Sequence, residues 1–172
     1  LLAGHRERSA TLLLPAAIDG VERFDLSPAA DRGLRRFAAD VSLPRLRTLG
    51  PLRLTAGAYA GEESGQSQLR QSLVSYAGFV ARDAALRRQL SDAARASVGG
   101  DAQALDPGYR AIALLAGVQE VGVPFMDRLR TALIASTDPL FRQQAVRALG
   151  GADTPATVAR ALALSDEVAL QP

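Results

Sequence analysis

Cysteine, tryptophan and lysine are missing from this 172-residue chain, and histidine occurs once. Without cysteine there are no disulfides and no thiolate metal sites, although the compartment stays open. A zinc site of the H-E-x-x-H kind needs two histidines one helical turn apart and a third ligand. The lone His5, inside Gly4-His5-Arg6-Glu7-Arg8, cannot supply it and reads as a surface residue. No run of 18 apolar residues is present, so no membrane-spanning helix is expected. Aromatic residues make up only 5%. The core must therefore be built from Leu, Ala and Val, side chains that suit close helix–helix packing.

All 20 basic residues are arginine, against 18 acidic ones, for a formal charge of +2. Arginine throughout would suit bidentate recognition of carboxylate or phosphate. Codon bias in a GC-rich genome, which also enriches Ala, Leu and Gly, explains the same usage without any function. A balance so close to neutral gives no strong positive field. The one basic run is Arg32, Arg35, Arg36, Arg45, Arg47 and Arg53, facing the single acid Asp40. Arg32, Arg35 and Arg36 share a helix face. A stripe of this kind can track phosphates, but no interleaved aromatics offer base stacking. The run reads as a solvated or internally paired face, and nucleic acid is not an expected partner.

What is present is helix punctuation. Ser27-Pro28, Asp106-Pro107, Asp138-Pro139 and Thr154-Pro155 each place a capping side chain before a proline at the first helical position. Asp83 starts another helix without proline. Gly99-Gly100, Gly122 and Gly150-Gly151 mark stops. Between them the apolar period is helical: Leu69, Leu73, Tyr76, Ala77 and Val80; Leu86, Leu90, Ala93 and Val98; Tyr109, Ile112, Ala113 and Ala116; Phe125, Leu129, Ala132 and Leu133; Phe141, Ala145, Ala148 and Leu149; Val158, Ala161 and Leu162. No segment alternates over strand length. Leu69-Arg70, Tyr109-Arg110 and Phe141-Arg142 fall in one phase, 40 and 32 residues apart. The expected fold is all-α: three helical hairpins over residues 67–172, stacked antiparallel as in an irregular HEAT- or armadillo-like α-solenoid.

Residues 1–60 are less regular. A helix around Leu2 and Thr11 to Leu14 should end near Pro15. A second should run from Pro28 to about Leu49, with Leu34, Phe37 and Val41 on one side and a break at Pro44. Residues 50–66 read as a polar, Gly-rich loop. No domain boundary is visible, so the chain reads as one domain. It opens on Leu1-Leu2 and closes on Gln171-Pro172, which suggests a piece of something longer.

Catalytic chemistry is not legible. The carboxylate pairs Glu62-Glu63 and Asp166-Glu167 sit beside Gly, Ser or a helix start, where solvated or capping roles are usual. There is no G-x-S-x-G elbow and no Gly-rich phosphate fingerprint. A free-standing helical-repeat adaptor that binds another protein fits these features as well as an accessory enzyme domain does.

The stretch from Leu43-Pro44 to Leu49-Gly50, the acidic loop, LRQSLVSYAGFVARDAALRRQL, and above all ASTDPLFRQQAVRALGGADTPATVARALALSDEV together resemble one family. It is the C-terminal helical domain of the gluzincin zinc aminopeptidases, which include the alanyl, puromycin-sensitive and endoplasmic-reticulum enzymes. The resemblance implies an accessory domain that closes over the active site and limits peptide access. It also implies that zinc, H-E-x-x-H and G-A-M-E-N lie in an upstream catalytic domain of the same polypeptide. None of these motifs occurs in this chain, so it is expected to bind no cofactor and to contribute no catalytic residue. Arg110 and Arg142 are the candidate substrate-binding residues, as a ladder of stacked repeats facing a peptide's C-terminal carboxylate. A cationic side chain in a first helical turn opposes the helix dipole, so Asp106, Asp138 or Asp153 could equally be its partner.

Overall fold

The computed structural model describes residues 27–166. His5, the expected Leu2 to Leu14 helix and Glu167 lie outside them. Among the described residues there are seven α-helices and no strand: α1 (Pro28–Thr48), α2 (Ser64–Ser75, continued by a π-turn Tyr76–Val80), α3 (Ala84–Val98), α4 (Arg110–Val121, entered through a 3-10 turn Pro107–Tyr109), α5 (Val123–Ala135), α6 (Pro139–Leu149) and α7 (Pro155–Ser165). The all-α expectation is met. None of these helices is long and apolar enough to cross a membrane.

The caps form as the sequence indicates. Ser27 accepts from the Ala30 N–H, Asp106 from Gly108, Asp138 from Leu140, and Thr154 forms a reciprocal capping box with Thr157. Asp83 accepts from the Leu86 N–H at 2.8 Å. Each side-chain oxygen satisfies a backbone donor that the first helical turn leaves without a partner. At the stops, Gly100 and Gly122 take positive φ (106° and 76°), where a side chain would be strained. Gly150 instead stays right-handed at φ −70°.

The described residues form two compact units, the first of residues 27–52 and 59–86, the second of 53–58 and 87–166. In the first unit, α1 packs on α2 and on the π-turn. Its core joins Ala38 and Tyr76, flanked by Leu34, Val80 and Ala81. Helix α1 does not break at Pro44. Proline removes one i→i−4 hydrogen bond, but Pro44 is exposed, and Ala38 and Ser42 are fully buried on the preceding turns. Packing thus holds the helix across the missing bond. The buried face follows Leu34, Ala38 and Ser42 rather than Leu34, Phe37 and Val41. Ser42 is tolerated there because its hydroxyl donates to the Ala38 carbonyl at 2.6 Å, and Phe37 is exposed.

In the second unit, α4 packs on α5 and α6, and α5 packs on α6 and α7. Tyr109, Ala113, Ala116, Phe125, Leu129, Leu133, Ala145, Ala148 and Leu149 are all buried, as their stripes predict. The α4–α5 contact is close because Gly117 lies under the Phe125 ring. A Cβ at Gly117 would sit 2.5 Å from that ring. The stripe expected on α7 is displaced. Thr157 and Leu164 are buried, whereas Val158 and Leu162 are exposed. Reading only apolar residues misses Thr157, whose hydroxyl donates to the Thr154 carbonyl at 3.0 Å and can therefore be buried.

The segment expected as a polar loop is more ordered than a solvated connection. Leu54 is buried, its carbonyl accepts from the Asp106 N–H at 2.6 Å, and the Ala56 N–H donates to the Gln103 carbonyl at 3.0 Å. Helix α2 begins at Ser64, within the stretch expected as loop.

Candidate functional site

Arg110 and Arg142 each follow a residue that anchors its helix. Tyr109 is buried, and Arg110, Phe141 and Arg142 are half-buried. Arg110 Nη1 reaches Asp138 Oδ2 at 3.1 Å, with its guanidinium 5.9 Å from the Phe141 ring centroid. Arg142 Nη1 instead donates to the Leu133 carbonyl at 2.8 Å and to the Ser136 carbonyl at 3.5 Å. Leu133 lies in the last turn of α5, where carbonyls without helical partners carry the negative end of the dipole. The two guanidinium groups therefore meet the same stretch, residues 133–138, which runs from the last turn of α5 to the cap of α6. A cap aspartate is the partner of Arg110, whereas backbone oxygens are the partners of Arg142.

Asp138 serves two ends at once. Its Oδ1 accepts from the Leu140 N–H at 2.9 Å while Oδ2 meets Arg110. The Phe141 N–H foremost holds its carboxyl below the usual value of 3.8; desolvation, next in size, opposes it, and the Leu140 N–H and Arg110 add smaller lowering contributions. A depressed folded pKa stabilises above the unfolded value and is lost as pH falls through the folded one. The stability difference between the wild-type chain and Asp138→Asn should thus be constant above about pH 5 and shrink as pH drops below 3.8. Because asparagine also caps helices, the difference isolates the charge. Melting temperatures from pH 2.5 to 7 check this, and a gap that widens toward acid would contradict it.

Three further ionic groups were not singled out by the sequence. Glu62 is not solvated. Its side chain is only 10% exposed and accepts from Arg70 Nη2 at 2.6 Å, with Arg70 3% exposed. Arg70 also donates to the Leu49 carbonyl at 2.8 Å and lies 4.3 Å from the Tyr59 ring centroid. Glu62 and Arg70 fall on either side of a helix start, so no helical spacing relates them. Glu63 occupies the N-cap of α2 without a side-chain capping bond. In the second unit Arg87 binds Glu120 and, at 3.2 Å, Gln119, whose amide donates to the Gly151 carbonyl at 3.0 Å. Arg160 binds Asp127 at 2.7 Å. Arg87–Glu120 and Arg160–Asp127 are each 33 residues apart, close to the 32-residue phase, and that period is the one hint the sequence carried.

In the basic run, Arg35 pairs with Asp31 at 2.7 Å one turn away. Arg32, Arg36, Phe37 and Asp40 line a shallow concavity along α1. Among the described residues no group of three or more His, Cys, Asp or Glu could hold a metal ion, so these residues do not fit a zinc site.

These features define a class: an all-α domain whose polar clusters join helices to one another. The family model of the ERAP1-like C-terminal domain matches residues 9–171. The chain belongs to that family, and is thus a domain of the aminopeptidase type to which its sequence bears a resemblance. No curated protein and no solved structure shows significant similarity to it.

Proposed function

We propose that this chain is the non-catalytic helical domain of a zinc-dependent aminopeptidase, enclosing the active site and restricting which peptides reach it. Membership of the ERAP1-like C-terminal domain family over residues 9–171 is the observation that carries this reading. The partners it implies are the catalytic domain of the same polypeptide, which would hold the zinc, and peptide substrates. The hairpins α4–α5 and α6–α7, packed on each other, fit the stacked wall that such an enclosure needs.

Within this reading Arg110 and Arg142 attract the C-terminal carboxylate of the peptide. Their convergence on residues 133–138 concentrates two cations on one edge. The peptide would compete with Asp138 for Arg110, because a carboxylate already occupies that position. A charge-assisted hydrogen bond contributes about 1.5–3 kcal/mol, equivalent to roughly 10- to 150-fold in affinity. In the full enzyme, Arg142→Ala should weaken a free-acid peptide by about that factor and leave its C-terminally amidated twin unchanged. Equal effects on both peptides, or none on either, would remove the carboxylate role. Loss of the Leu133 carbonyl contact would then appear as a lower melting temperature alone.

A further inference from the structure

Between α1 and α2 the chain leaves one unit and returns to it. Residues 53–58 belong to the second unit, whereas Leu52 and Tyr59 on either side belong to the first. Three hydrogen bonds tie this crossing segment to the connection between α3 and α4. The Asp106 N–H donates to the Leu54 carbonyl at 2.6 Å and the Ala56 N–H to the Gln103 carbonyl at 3.0 Å. The Gly57 N–H donates to Asp106 Oδ2 at 3.0 Å. Leu54 is the one buried residue of the segment, and Arg53, Thr55 and Gly57 are exposed. Gly50 and Gly61, on its two sides, take positive φ of 86° and 83°, a conformation that glycine enters and leaves without steric cost. A segment pinned by one buried residue opens at a lower free energy than packed helices do.

Asp106 joins this segment to a helix start. While Oδ2 holds Gly57, Oδ1 caps the Gly108 N–H at 2.9 Å, and the Asp106 carbonyl accepts from the Tyr109 N–H at 3.0 Å. An N-cap needs only one side-chain oxygen. The second oxygen here reaches a residue 49 positions earlier. Asp106 thus makes two of the three bonds to the crossing segment, and it also begins the 3-10 turn that leads into Arg110.

We propose that residues 53–58 are a releasable strap with Asp106 as its catch, so that the chain between α1 and α2 sets how firmly the start of α4, and with it Arg110, is held. With the strap closed, Asp106 is fixed through both its N–H and its second carboxylate oxygen. With the strap open, those two groups turn to water and only the cap remains. The coupling runs between two stretches of backbone. It therefore goes beyond the enclosing role proposed above and does not rest on any peptide reaching Arg110.

The test is amide hydrogen exchange in the 172-residue chain, comparing wild type with Asp106→Asn, Asp106→Ser and Leu54→Ala. Asparagine and serine both cap helices, but each offers one side-chain oxygen acceptor in place of two. In both variants exchange at Ala56 and Gly57 should accelerate about tenfold, the effect of losing one hydrogen bond. Leu54→Ala leaves Asp106 and α4 unaltered and removes the anchor of the strap. Exchange at Tyr109 and Arg110 should then rise by about threefold or more, with α6 and α7 unchanged. Unchanged exchange at Tyr109 and Arg110 in this variant would overturn the proposal. So would a uniform acceleration from α3 through α7, which marks a loss of global stability rather than release of a strap. If Leu54→Ala does not fold, Asp106→Asn decides alone. Acceleration confined to residues 56–57 and 108–110 supports the strap, whereas acceleration at 108–110 without 56–57 assigns Asp106 to capping and overturns it.

Discussion

Arg70→Ala is expected to destabilise the first unit by about 3–5 kcal/mol, because it leaves Glu62 charged and buried without its partner. The magnitude follows from burial: at 3% and 10% exposure neither side chain has water to fall back on. The arginine also holds the Leu49 carbonyl just past the end of α1 and stacks on Tyr59. Its removal therefore loosens the connection that leads from α1 to α2 as well as the ion pair. For a chain of this length the melting temperature should fall by roughly 6–20 °C. The double substitution Glu62→Leu/Arg70→Met should recover a large part of the loss, since an apolar pair of similar volume avoids the cost of burying two charges. By contrast, Arg95→Ala breaks a pair with Asp92 that is 50% and 62% exposed, and should change stability by less than about 0.5 kcal/mol. Urea denaturation of the four proteins checks the series. A loss below about 1 kcal/mol for Arg70→Ala would mean that water reaches the pair.

Phe125→Ala is expected to cost about 3–5 kcal/mol by opening a cavity between α4 and α5. Phe125 is 1% exposed, and its ring covers Gly117 so closely that no side chain fits there. The same contact sets the sign for Gly117→Ala. Alanine would favour an exposed helix position by up to about 1 kcal/mol, but here its Cβ meets a ring with no free space to retreat into. Overpacking of about 1–3 kcal/mol should therefore outweigh the helix propensity and leave a net loss. Shortening the ring with Phe125→Leu should relieve the clash. Gly117→Ala/Phe125→Leu would then be more stable than the sum of the two single losses, with a coupling of about 0.5–3 kcal/mol. Additive losses in thermal denaturation would show that the helices shift apart instead.

The residues that decided local structure were legible in the sequence by themselves. Ser27, Asp83, Asp106, Asp138 and Thr154 cap helices in the structure as their spacing indicates, because a cap is an interaction between a side chain and a backbone N–H two or three residues away. The stripes of α2, α4, α5 and α6 were equally legible, since 3.6-residue periodicity is local geometry. The Arg110–Asp138 pair stood among the alternatives for a related reason, both residues occupying the first turn of helices one phase apart.

Only the tertiary structure decided what depends on neighbours distant in sequence. Helix α1 continues through Pro44 because packing on Ala38 and Ser42 outweighs one lost hydrogen bond. Glu62 is buried because Arg70 comes to it from the other side of a helix start. Thr157 is buried and Val158 exposed, because a satisfied hydroxyl can enter a core and the surface that arrives covers the Thr157 side of the helix. Hydrophobic period shows which residues can be buried; which of them are depends on the surfaces that arrive, and those come from elsewhere in the chain.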